Sequence, residues 1–412
     1  MATLLSSRFR EKMSKEKDIR MKKETNADVM YPTGFLSFDF MNGRVVHVKT
    51  ETKDFKYNSI GIVDGSMVMV IGRSGCGKTT FIRQSAAEIV RPFETSCIYD
   101  DNIEGGITES RNRKLMQMST EEIKDRYIPR NEGINAENFY KRIKSIHDLK
   151  LENYSDYEYD TGLFSEDGEP IYKLEPTVYI LDSLALLMPE QYADESELSG
   201  QMSATAAART NASIFKRIIP MLKAANIILF VVNHITEAVE INPFARNQSQ
   251  LAYLKQGERL GGGKVPIYVS NLIIRFDDHS KLKENEGFCI KGIMVNITFC
   301  KSRTTASGNA VTLVFDYDNG FDRDLSLFYM LKELGYVNGA GAYMYLGDRS
   351  DIKFAQKNFK TKLNENPELQ QVFLEECYKA LMTLINDDTN EEQQAGRFNV
   401  VTAMMNMMSQ AA

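Results

Sequence analysis

The residues of this chain that could do chemistry begin with a glycine-rich segment, GRSGCGKTT, at 72–80. Its spacing, G-x-x-x-x-G-K-T, directly follows an apolar strand pattern and directly precedes a helical one. In that setting glycines let backbone N–H groups point at phosphate oxygens, Lys78 reaches the terminal phosphates and Thr79 offers its hydroxyl to Mg²⁺. The segment predicts a binding site for a nucleoside triphosphate, formed by Gly72, Arg73, Ser74, Gly75, Cys76, Gly77, Lys78, Thr79 and Thr80.

A carboxylate suited to the metal follows a second apolar run, TVYILDS, which ends at Asp182. The carboxyl ends of parallel strands meet at one edge of a sheet, so Asp182 is expected to lie near the phosphate segment. Thr79 and Asp182 are therefore the predicted Mg²⁺ residues.

Hydrolysis also needs a group that orients or deprotonates the attacking water. After the strand pattern TSCIYD comes DNIEGGIT, which offers Asp100, Asp101 and Glu104 at the same sheet edge. Spacing alone does not choose among these three acids.

The elements that must position these groups alternate between strands and helices. Strands are predicted at 65–72, 95–100, 177–184 and 226–233, with helices at about 136–147 and 203–225. This alternation predicts an α/β fold with a mostly parallel twisted sheet covered by helices. From about 267 the pattern indicates antiparallel strands that extend the sheet, followed by a helical segment at 323–386. Residues 151–170, with seven Asp/Glu, are predicted to be a solvated insertion outside the core.

Composition narrows the function classes. The 412 residues carry 50 Lys+Arg against 56 Asp+Glu, a net charge of −6, which excludes a uniformly basic nucleic-acid binder. The five cysteines are scattered without a C-x-x-C pair, so neither a disulfide framework nor a zinc site is expected. With no apolar run of about 20 residues and no secretory pattern, a cytoplasmic protein is expected.

Several segments in order resemble the RecA family of recombinases, and most closely its phage-type UvsX branch. They are YPTGFLSFDFMNG, IVDGSMVMVIGRSGCGKTT, EGGIT, VYILDSLALL, the helix that begins SATAAARTNAS, GGGKVPIYVSNLIIRF, the KSR of FCKSRTT and VFDYDNGFD. The resemblance covers about 33–380 and implies a RecA-like ATPase core that uses ATP and Mg²⁺. It further implies a helical filament on single-stranded DNA that pairs homologous duplex DNA and exchanges strands.

Particular residues take roles from this resemblance. Glu104, before a Gly-Ile-Thr, matches the catalytic Glu, with Asp101 as the reserve. His234 matches the γ-phosphate sensor, and Lys301 and Arg303 match two cations that family members insert into the ATP site of the adjacent subunit. Arg111 stands where relatives stack an aromatic ring on adenine, which leaves the nucleotide preference open.

DNA would be held by two loops that the resemblance points to. The first, at 189–202, is acidic and would use Gln201 and Met202 with backbone N–H groups. The second, between Thr236 and Pro266, has no clear periodicity and offers both aromatic rings and cations. The DNA-binding candidates are Gln201, Met202, Arg209, Phe244, Arg246, Tyr253, Lys255, Arg259 and Lys264.

The chain is expected to divide into an N-terminal oligomerisation arm at 1–34, the ATPase core at 35–320 and a small C-terminal domain with an acidic, Met-rich tail at 321–412. The arm is basic, and the Met stripe of the tail is a candidate surface for a single-strand-binding protein or a recombination mediator. Two alternative functions remain at this point. One is a RecA-fold motor of the replicative helicase class, and the other is a nucleotide-gated filament that coats single-stranded DNA and turns over slowly.

Overall fold

A ten-stranded sheet is the central layer of the computed structural model, which describes residues 28–105, 108–193, 200–237, 249–283, 290–340 and 343–385. The strands are β1 (Met30–Tyr31), β2 (Arg44–Lys49), β3 (Asp54–Ser59), β4 (Ile62–Val63), β5 (Met67–Gly72), β6 (Ile98–Asn102), β7 (Tyr127–Arg130), β8 (Glu158–Phe164), β9 (Pro170–Leu174), β10 (Thr177–Asp182), β11 (Ile227–Glu237), β12 (Glu258–Leu260), β13 (Leu272–Lys283), β14 (Ile290–Ser302), β15 (Ala310–Asp316), β16 (Gly320–Asp322), β17 (Val337–Ala340) and β18 (Tyr343–Leu346). The spatial order is β16-β15-β14-β13-β5-β11-β10-β6-β7, and β12 pairs with β11.

Helices cover both faces of this sheet. They are α1 (Leu36–Met41), α2 (Lys78–Val90), α3 (Glu109–Met116), α4 (Thr120–Arg126), α5 (Ala136–Glu152), α6 (Tyr154–Tyr157), α7 (Glu190–Ala193), α8 (Gly200–Ala225), α9 (Lys264–Val269), α10 (Arg323–Glu333), α11 (Phe359–Glu365) and α12 (Pro367–Leu384). Within the described ranges, no helix is both long enough and apolar enough to cross a membrane.

The central strands are buried on both faces, as strands of a covered parallel sheet must be. Every residue of β5 and β10 is buried. Alternate residues of β5 enter two different cores: Val68 and Val70 pack with Phe81 of α2, whereas Met67 and Ile71 pack with Phe215 of α8 and with α5. Strands β13, β5, β11, β10, β6 and β7 run parallel to their neighbours in this order. The predicted α/β class with a mostly parallel, helix-covered sheet is confirmed.

The antiparallel extension begins one strand later than the sequence pattern indicated. Strand β13 pairs parallel with β5 and antiparallel with β14, so the antiparallel part consists of β14, β15 and β16. Residues 267–269, where the sequence pattern predicts the start of the antiparallel strands, lie instead in the helix α9. Pro266 near the first turn of α9 fits this short helix, because a proline there removes no intrahelical hydrogen bond.

The prediction that 151–170 is a solvated insertion is wrong in part. These residues end α5, form α6 and build the hairpin β8–β9, whose inward-facing side chains alternate with the acidic ones. Tyr159 is buried, its hydroxyl lies 2.8 Å from that of Tyr31, and its ring packs edge-on against Phe93. The number of acidic residues alone does not reveal this alternation, because in a strand every second side chain points outward and the acids occupy only that outer face.

The helical interpretation of 323–386 also needs correction. The hairpin β17–β18 separates α10 from α11 and α12. Side chains of these elements form a third core, in which Phe328 stacks on Phe359 with ring centroids 4.3 Å apart. Leu36 and Phe40 of α1 join that core, and the division of the chain near residue 320 stays a prediction.

Candidate nucleotide-binding site

The segment 72–80 joins the end of β5 to the start of α2, as its motif requires. Gly75 and Gly77 have φ angles of +83° and +82°, a left-handed conformation that L side chains rarely adopt. A Cβ on Gly77 would also lie 2.9 Å from the ring of Phe321, so both backbone shape and packing demand glycine there. The loop therefore leads directly into the N-terminus of α2, where anions bind favourably.

A cleft of about 260 Å³ opens beside this loop. Phosphate-loop residues line one side, and the strand ends of β6, β10 and β11 line the other. Its lining residues are Ser74, Gly75, Gly77, Lys78, Thr79, Thr80, Glu104, Asp182, Val232, His234, Phe315 and Tyr317. Glu104, Lys78, Thr79, Asp182 and His234, which the sequence placed at one site, thus meet at one cleft.

Lys78 is buried and folds back over the loop. Its Nζ donates to the carbonyl oxygens of Gly72, at 3.1 Å, and Arg73, at 2.7 Å. Burial lowers the pKa of Lys78, although nearby groups that include Asp182 and Glu104 act in the opposite direction. A phosphate group would supply the counter-charge that this ammonium lacks within the loop.

Thr79 and Asp182 form a pair that fits a divalent cation. The Thr79 hydroxyl donates to Asp182 Oδ2 at 2.6 Å. Asp182 Oδ1 is buried and has no hydrogen-bond partner among the described residues, and burial raises the pKa of this carboxyl group. An unpaired buried carboxylate oxygen beside a hydroxyl is the kind of hard oxygen donor that Mg²⁺ takes.

Glu104 and His234 face each other across the mouth of the cleft, with Glu104 Oε1 2.5 Å from His234 Nε2. Burial acts to raise the pKa of Glu104, but the nearby Ser183 hydroxyl, His234 and Lys78 outweigh it, so the pKa lies below its ordinary value. The Glu104 carboxylate is partly exposed and stays ionised at neutral pH, as a group that accepts a proton from water must be.

The other two acids that follow the same strand are engaged elsewhere. Asp100 is fully buried and accepts from Arg83 Nε at 2.8 Å and from the Tyr127 hydroxyl at 2.6 Å. Asp101 is bonded to Arg142 and to the Tyr179 hydroxyl. Of the three acids that spacing left open, Glu104 is the one that lines the cleft.

The cleft is also lined by a side chain that the sequence interpretation missed. Tyr317 lines the cleft, is partly exposed and packs edge-on against Phe315 at 5.4 Å. Arg111 donates to the Tyr317 carbonyl at 2.7 Å, and its role as the base-stacking residue stays a prediction. The available signal in the sequence is the pair of aromatic residues, Phe315 and Tyr317, directly before the turn residues Asp318, Asn319 and Gly320.

Lys301 and Arg303 lie away from this chain's own cleft. In the sheet Lys301 is paired with Ile273, and Ile273 with Met69 near the start of β5, so both cations are at the edge where the parallel strands begin. Lys301 Nζ donates to the carbonyls of Ile267, at 2.9 Å, and Tyr268, at 2.7 Å. Arg303 is exposed.

The candidate DNA-binding residues are partly described. Arg209, Lys255, Arg259 and Lys264 are exposed, and Tyr253 is half-exposed with its hydroxyl bonded to the Ser307 carbonyl at 3.1 Å. The described part of the second loop contains regular structure that its lack of periodicity did not indicate, because β12 pairs antiparallel with β11 and α9 follows. Phe244, Arg246, the side chains of Gln201 and Met202, most of the N-terminal arm and the Met-rich tail lie outside the described residues.

Known proteins similar to this chain include bacterial and phage recombination proteins. Over 196 residues the chain is 24% identical to Protein RecA of Acholeplasma laidlawii, a match that covers 46% of this chain and 53% of that protein. Over 309 residues it is 21% identical to a protein of Enterobacteria phage T4 named "Recombination and repair protein", covering 73% of this chain and 68% of that protein. The chain thus spans about half the length of the bacterial RecA relative. No protein-family model matches the chain.

The described fold has the mostly parallel, helix-covered sheet expected of a RecA-like core, and the phosphate loop and its acids meet at one edge of that sheet. These features and the two sequence similarities agree: the chain is similar to bacterial RecA and to the phage recombination and repair protein.

Proposed function

We propose that this protein is an ATP-dependent DNA recombinase that forms helical filaments on single-stranded DNA and catalyses homologous pairing and strand exchange. One observation carries the proposal. Lys78 is the only Lys or Arg among the described residues that line the cleft, whereas Lys301 and Arg303 lie at the opposite edge of the sheet. A second subunit docked head-to-tail would bring its Lys301 and Arg303 to the open cleft of the first.

The residues of the cleft have distinct roles in ATP hydrolysis under this proposal. Bound Mg²⁺, held by Thr79 and Asp182, would neutralise charge on the phosphate oxygens. Glu104 orients and deprotonates the attacking water, and His234 contacts the γ-phosphate once ATP separates it from Glu104. Lys78 moves its hydrogen bonds from the loop carbonyls to phosphate oxygens. Lys301 and Arg303 of the neighbouring subunit stabilise the charge that develops on the transferred phosphoryl group.

Assembly explains how a chain of net charge −6 would hold DNA. Each subunit contributes only a few cations, among them Lys255, Arg259 and Lys264, but neighbours in a filament share one strand, so weak contacts add up. The arm at 1–34, the core at 35–320 and the C-terminal part at 321–412 are the units proposed for this assembly. A single-strand-binding protein or a mediator is a proposed further partner.

Mixing two inactive variants tests the shared site. Lys78→Ala and Lys301→Ala each damage one half of it, so at a 1:1 ratio about a quarter of random junctions combine two intact halves and should hydrolyse ATP. The matched control mixes Lys78→Ala with Glu104→Gln. Both changes lie on the same half, so this mixture forms no intact junction and should stay inactive. Absence of rescue at every ratio in the first mixture would mean that one chain builds the whole site.

Dependence on DNA distinguishes the recombinase from its alternatives. ATPase activity should rise strongly on addition of single-stranded DNA, and electron micrographs with a non-hydrolysable ATP analogue should show open helical filaments. Closed hexameric rings would favour the helicase-type motor. Filaments with normal ATP binding but a single turnover would favour the DNA-coating protein.

A further inference from the structure

A buried guanidinium joins the segment 253–259, which carries the candidate DNA-binding residues Lys255 and Arg259, to the strand that pairs with β5. Arg275 of β13 is 3% exposed. Its Nη1 and Nη2 donate to the two carboxylate oxygens of Glu258, at 2.5 and 3.0 Å, and its Nε and Nη2 donate to Asp277, at 2.6 and 2.9 Å. A further bond, 3.1 Å long, runs from Nη1 to the carbonyl of Tyr253. Arg275 therefore holds two points of the segment 253–259.

This segment depends on those bonds for its shape. Tyr253 has a φ of +66°, a conformation uncommon for a residue with a side chain, and its carbonyl is one of the acceptors of Arg275. Glu258 Oε2 also accepts from the backbone N–H of Lys255, at 2.7 Å, which closes the turn. Lys255 and Arg259 project from this turn and are exposed. The direction in which the two cations point is thus set by the anchored turn.

On its other side, Arg275 belongs to the strand that contacts the phosphate loop. In the sheet register Arg275 is paired with Ile71, and Phe276 with Gly72, where the loop begins. The two backbones are close enough that a Cβ on Gly72 would lie 2.6 Å from the Phe276 carbonyl oxygen. The residue whose guanidinium shapes the turn is therefore paired with the residue directly before the phosphate loop.

Charge pairing makes this arrangement specific for arginine. Burial acts to raise the pKa of Glu258, but the hydrogen bonds and charge of Arg275 together with the backbone N–H and charge of Lys255 outweigh it, and the pKa lies below its ordinary value. Asp277, with Glu258, raises the pKa of Arg275 above the ordinary value, so the group stays charged. A planar fork with five N–H donors fits two carboxylates and a carbonyl at once, whereas a lysine ammonium has three donors that radiate from one atom.

We propose that Arg275 is a positioning residue that fixes the segment 253–259 so that Lys255 and Arg259 meet the phosphodiester backbone of single-stranded DNA. The inference rests on the proposed function for its ligand. The effect of Arg275 on the shape of the segment is independent of that function, because the order of the segment can be measured without DNA or ATP.

The experiment uses the fact that the chain contains no tryptophan. Tyr253→Trp places a single fluorophore in the segment, and the indole N–H can still donate to the Ser307 carbonyl. Adding Arg275→Lys should lower the fluorescence anisotropy of this tryptophan and shift its emission to the red.

A second measurement uses the protein without the tryptophan probe. If Arg275→Lys reduces the fraction of molecules with the DNA-binding conformation of the segment to about a tenth, the concentration of single-stranded DNA for half-maximal ATPase stimulation should rise about tenfold. The maximal rate at saturating DNA should change by less than about twofold, because ordering is restored by the ligand.

Two further variants keep the test decisive. Glu258→Gln removes the charge pair but keeps an acceptor oxygen for the Lys255 N–H and a nearly identical side-chain volume. It should therefore give the same two effects with smaller magnitude, and it provides the test if Arg275→Lys folds poorly.

Arg349→Lys is the matched control. Arg349 makes a similar fork, with Asp351 at 2.9 and 2.8 Å and Glu368 at 2.8 Å, but on the exposed surface of the C-terminal part. Its substitution should leave both readouts unchanged.

The outcomes separate this inference from the proposed function. A mobile tryptophan together with a raised DNA requirement supports the positioning role. A tryptophan as ordered as in the parent protein overturns it, and so does a mobile tryptophan with an unchanged DNA requirement. If DNA fails to stimulate even the parent protein, the proposed function fails, and the ligand assigned to this segment falls with it, while the anisotropy still reports whether Arg275 orders the turn.

Discussion

The Glu104 carboxylate and the His234 imidazole lie 2.5 Å apart, joining the residues that follow β6 to the carboxyl-terminal part of β11 across the phosphate cleft. Each side chain occupies space where the other's proposed partner would bind. In the proposed reaction, water must reach Glu104 and the γ-phosphate must reach His234. The contact therefore couples the group proposed for catalysis to β11, which pairs with β12 of the candidate DNA-binding segment.

Replacement of Glu104 by Gln should abolish most hydrolysis. The amide keeps the shape but accepts no proton from water, and loss of such a group lowers rates by about 10²–10⁴-fold. ATP binding, followed by equilibrium titration with a fluorescent analogue, should be nearly unchanged. Asp101→Asn is the matched control, because Asp101 bonds Arg142 and Tyr179 rather than the cleft, and its rate per folded molecule should stay near that of the parent. The reverse pattern would make Asp101 the water-activating acid.

The acidic limb of the pH–rate profile should depend on His234. Glu104 must be ionised to act as a base, and its pKa lies below the ordinary value partly because of His234. Activity should therefore persist into mildly acidic solution and fall as pH drops through that lowered pKa. In His234→Ala the acidic limb of kcat/KM should move to higher pH, and His234→Gln, which keeps a donor, should move it less. If the acidic limb of both variants lies at the same pH as that of the parent protein, another group controls it.

The phosphate loop was predictable because its chemistry is contiguous in the chain. A strand, a glycine-rich turn and a helix within 67–90 fix the loop geometry locally, and Gly75 and Gly77 occupy the left-handed conformations that the motif demands. Asp182 could be added because the carboxyl ends of parallel strands share one sheet edge. Both the loop and Asp182 are therefore placed by local sequence and sheet geometry, with little dependence on distant side-chain contacts.

Other features depend on long-range packing that no local pattern carries. Asp100, Asp101 and Glu104 follow one strand, and only the positions of Arg83, Arg142 and their neighbours decide which acid faces the cleft. Tyr317 reaches the cleft from a turn more than two hundred residues after the phosphate loop. The place of the hairpin β8–β9 in the core likewise depends on Tyr31, which lies 128 residues before Tyr159 in the sequence.

Removal of the predicted metal ligands should weaken Mg²⁺-dependent nucleotide binding. In Asp182→Asn the unpaired buried oxygen loses its charge, and in Thr79→Val the hydroxyl is lost at similar volume. Both should raise the Mg²⁺ concentration for half-maximal ATP binding by about tenfold or more, as loss of a ligand or its support does at other metal sites. Thr79→Ser, which keeps the hydroxyl, is the control and should stay near the parent. Magnesium titrations that coincide for all the variants would contradict the assignment.

A buried lysine near the first residue of β10 should make the free energy of unfolding depend on pH, independently of the nucleotide site. Lys150 of α5 is 4% exposed, and its Nζ donates to the Glu175 carbonyl at 2.6 Å and to Thr177 Oγ1 at 3.1 Å. No carboxylate lies within ion-pair distance of it in the described part of the chain. Burial lowers the pKa of Lys150 to about 7, so much of this group is a neutral amine in the folded protein near neutral pH.

Between pH 7 and about 10 the unfolded chain binds more protons at Lys150 than the folded one, because an unburied lysine has a pKa of about 10.4. This residue should therefore make the free energy of unfolding rise with pH across that window, by at most about 1.4 kcal/mol per pH unit. Lys150→Met removes the titrating group, so its urea-unfolding free energies at pH 7, 8 and 9 should rise less steeply than those of the parent. Lys141→Met, an exposed change on the same helix, should keep the parent slope. Parallel slopes for Lys150→Met and the parent would show that the buried amine remains charged in the folded state.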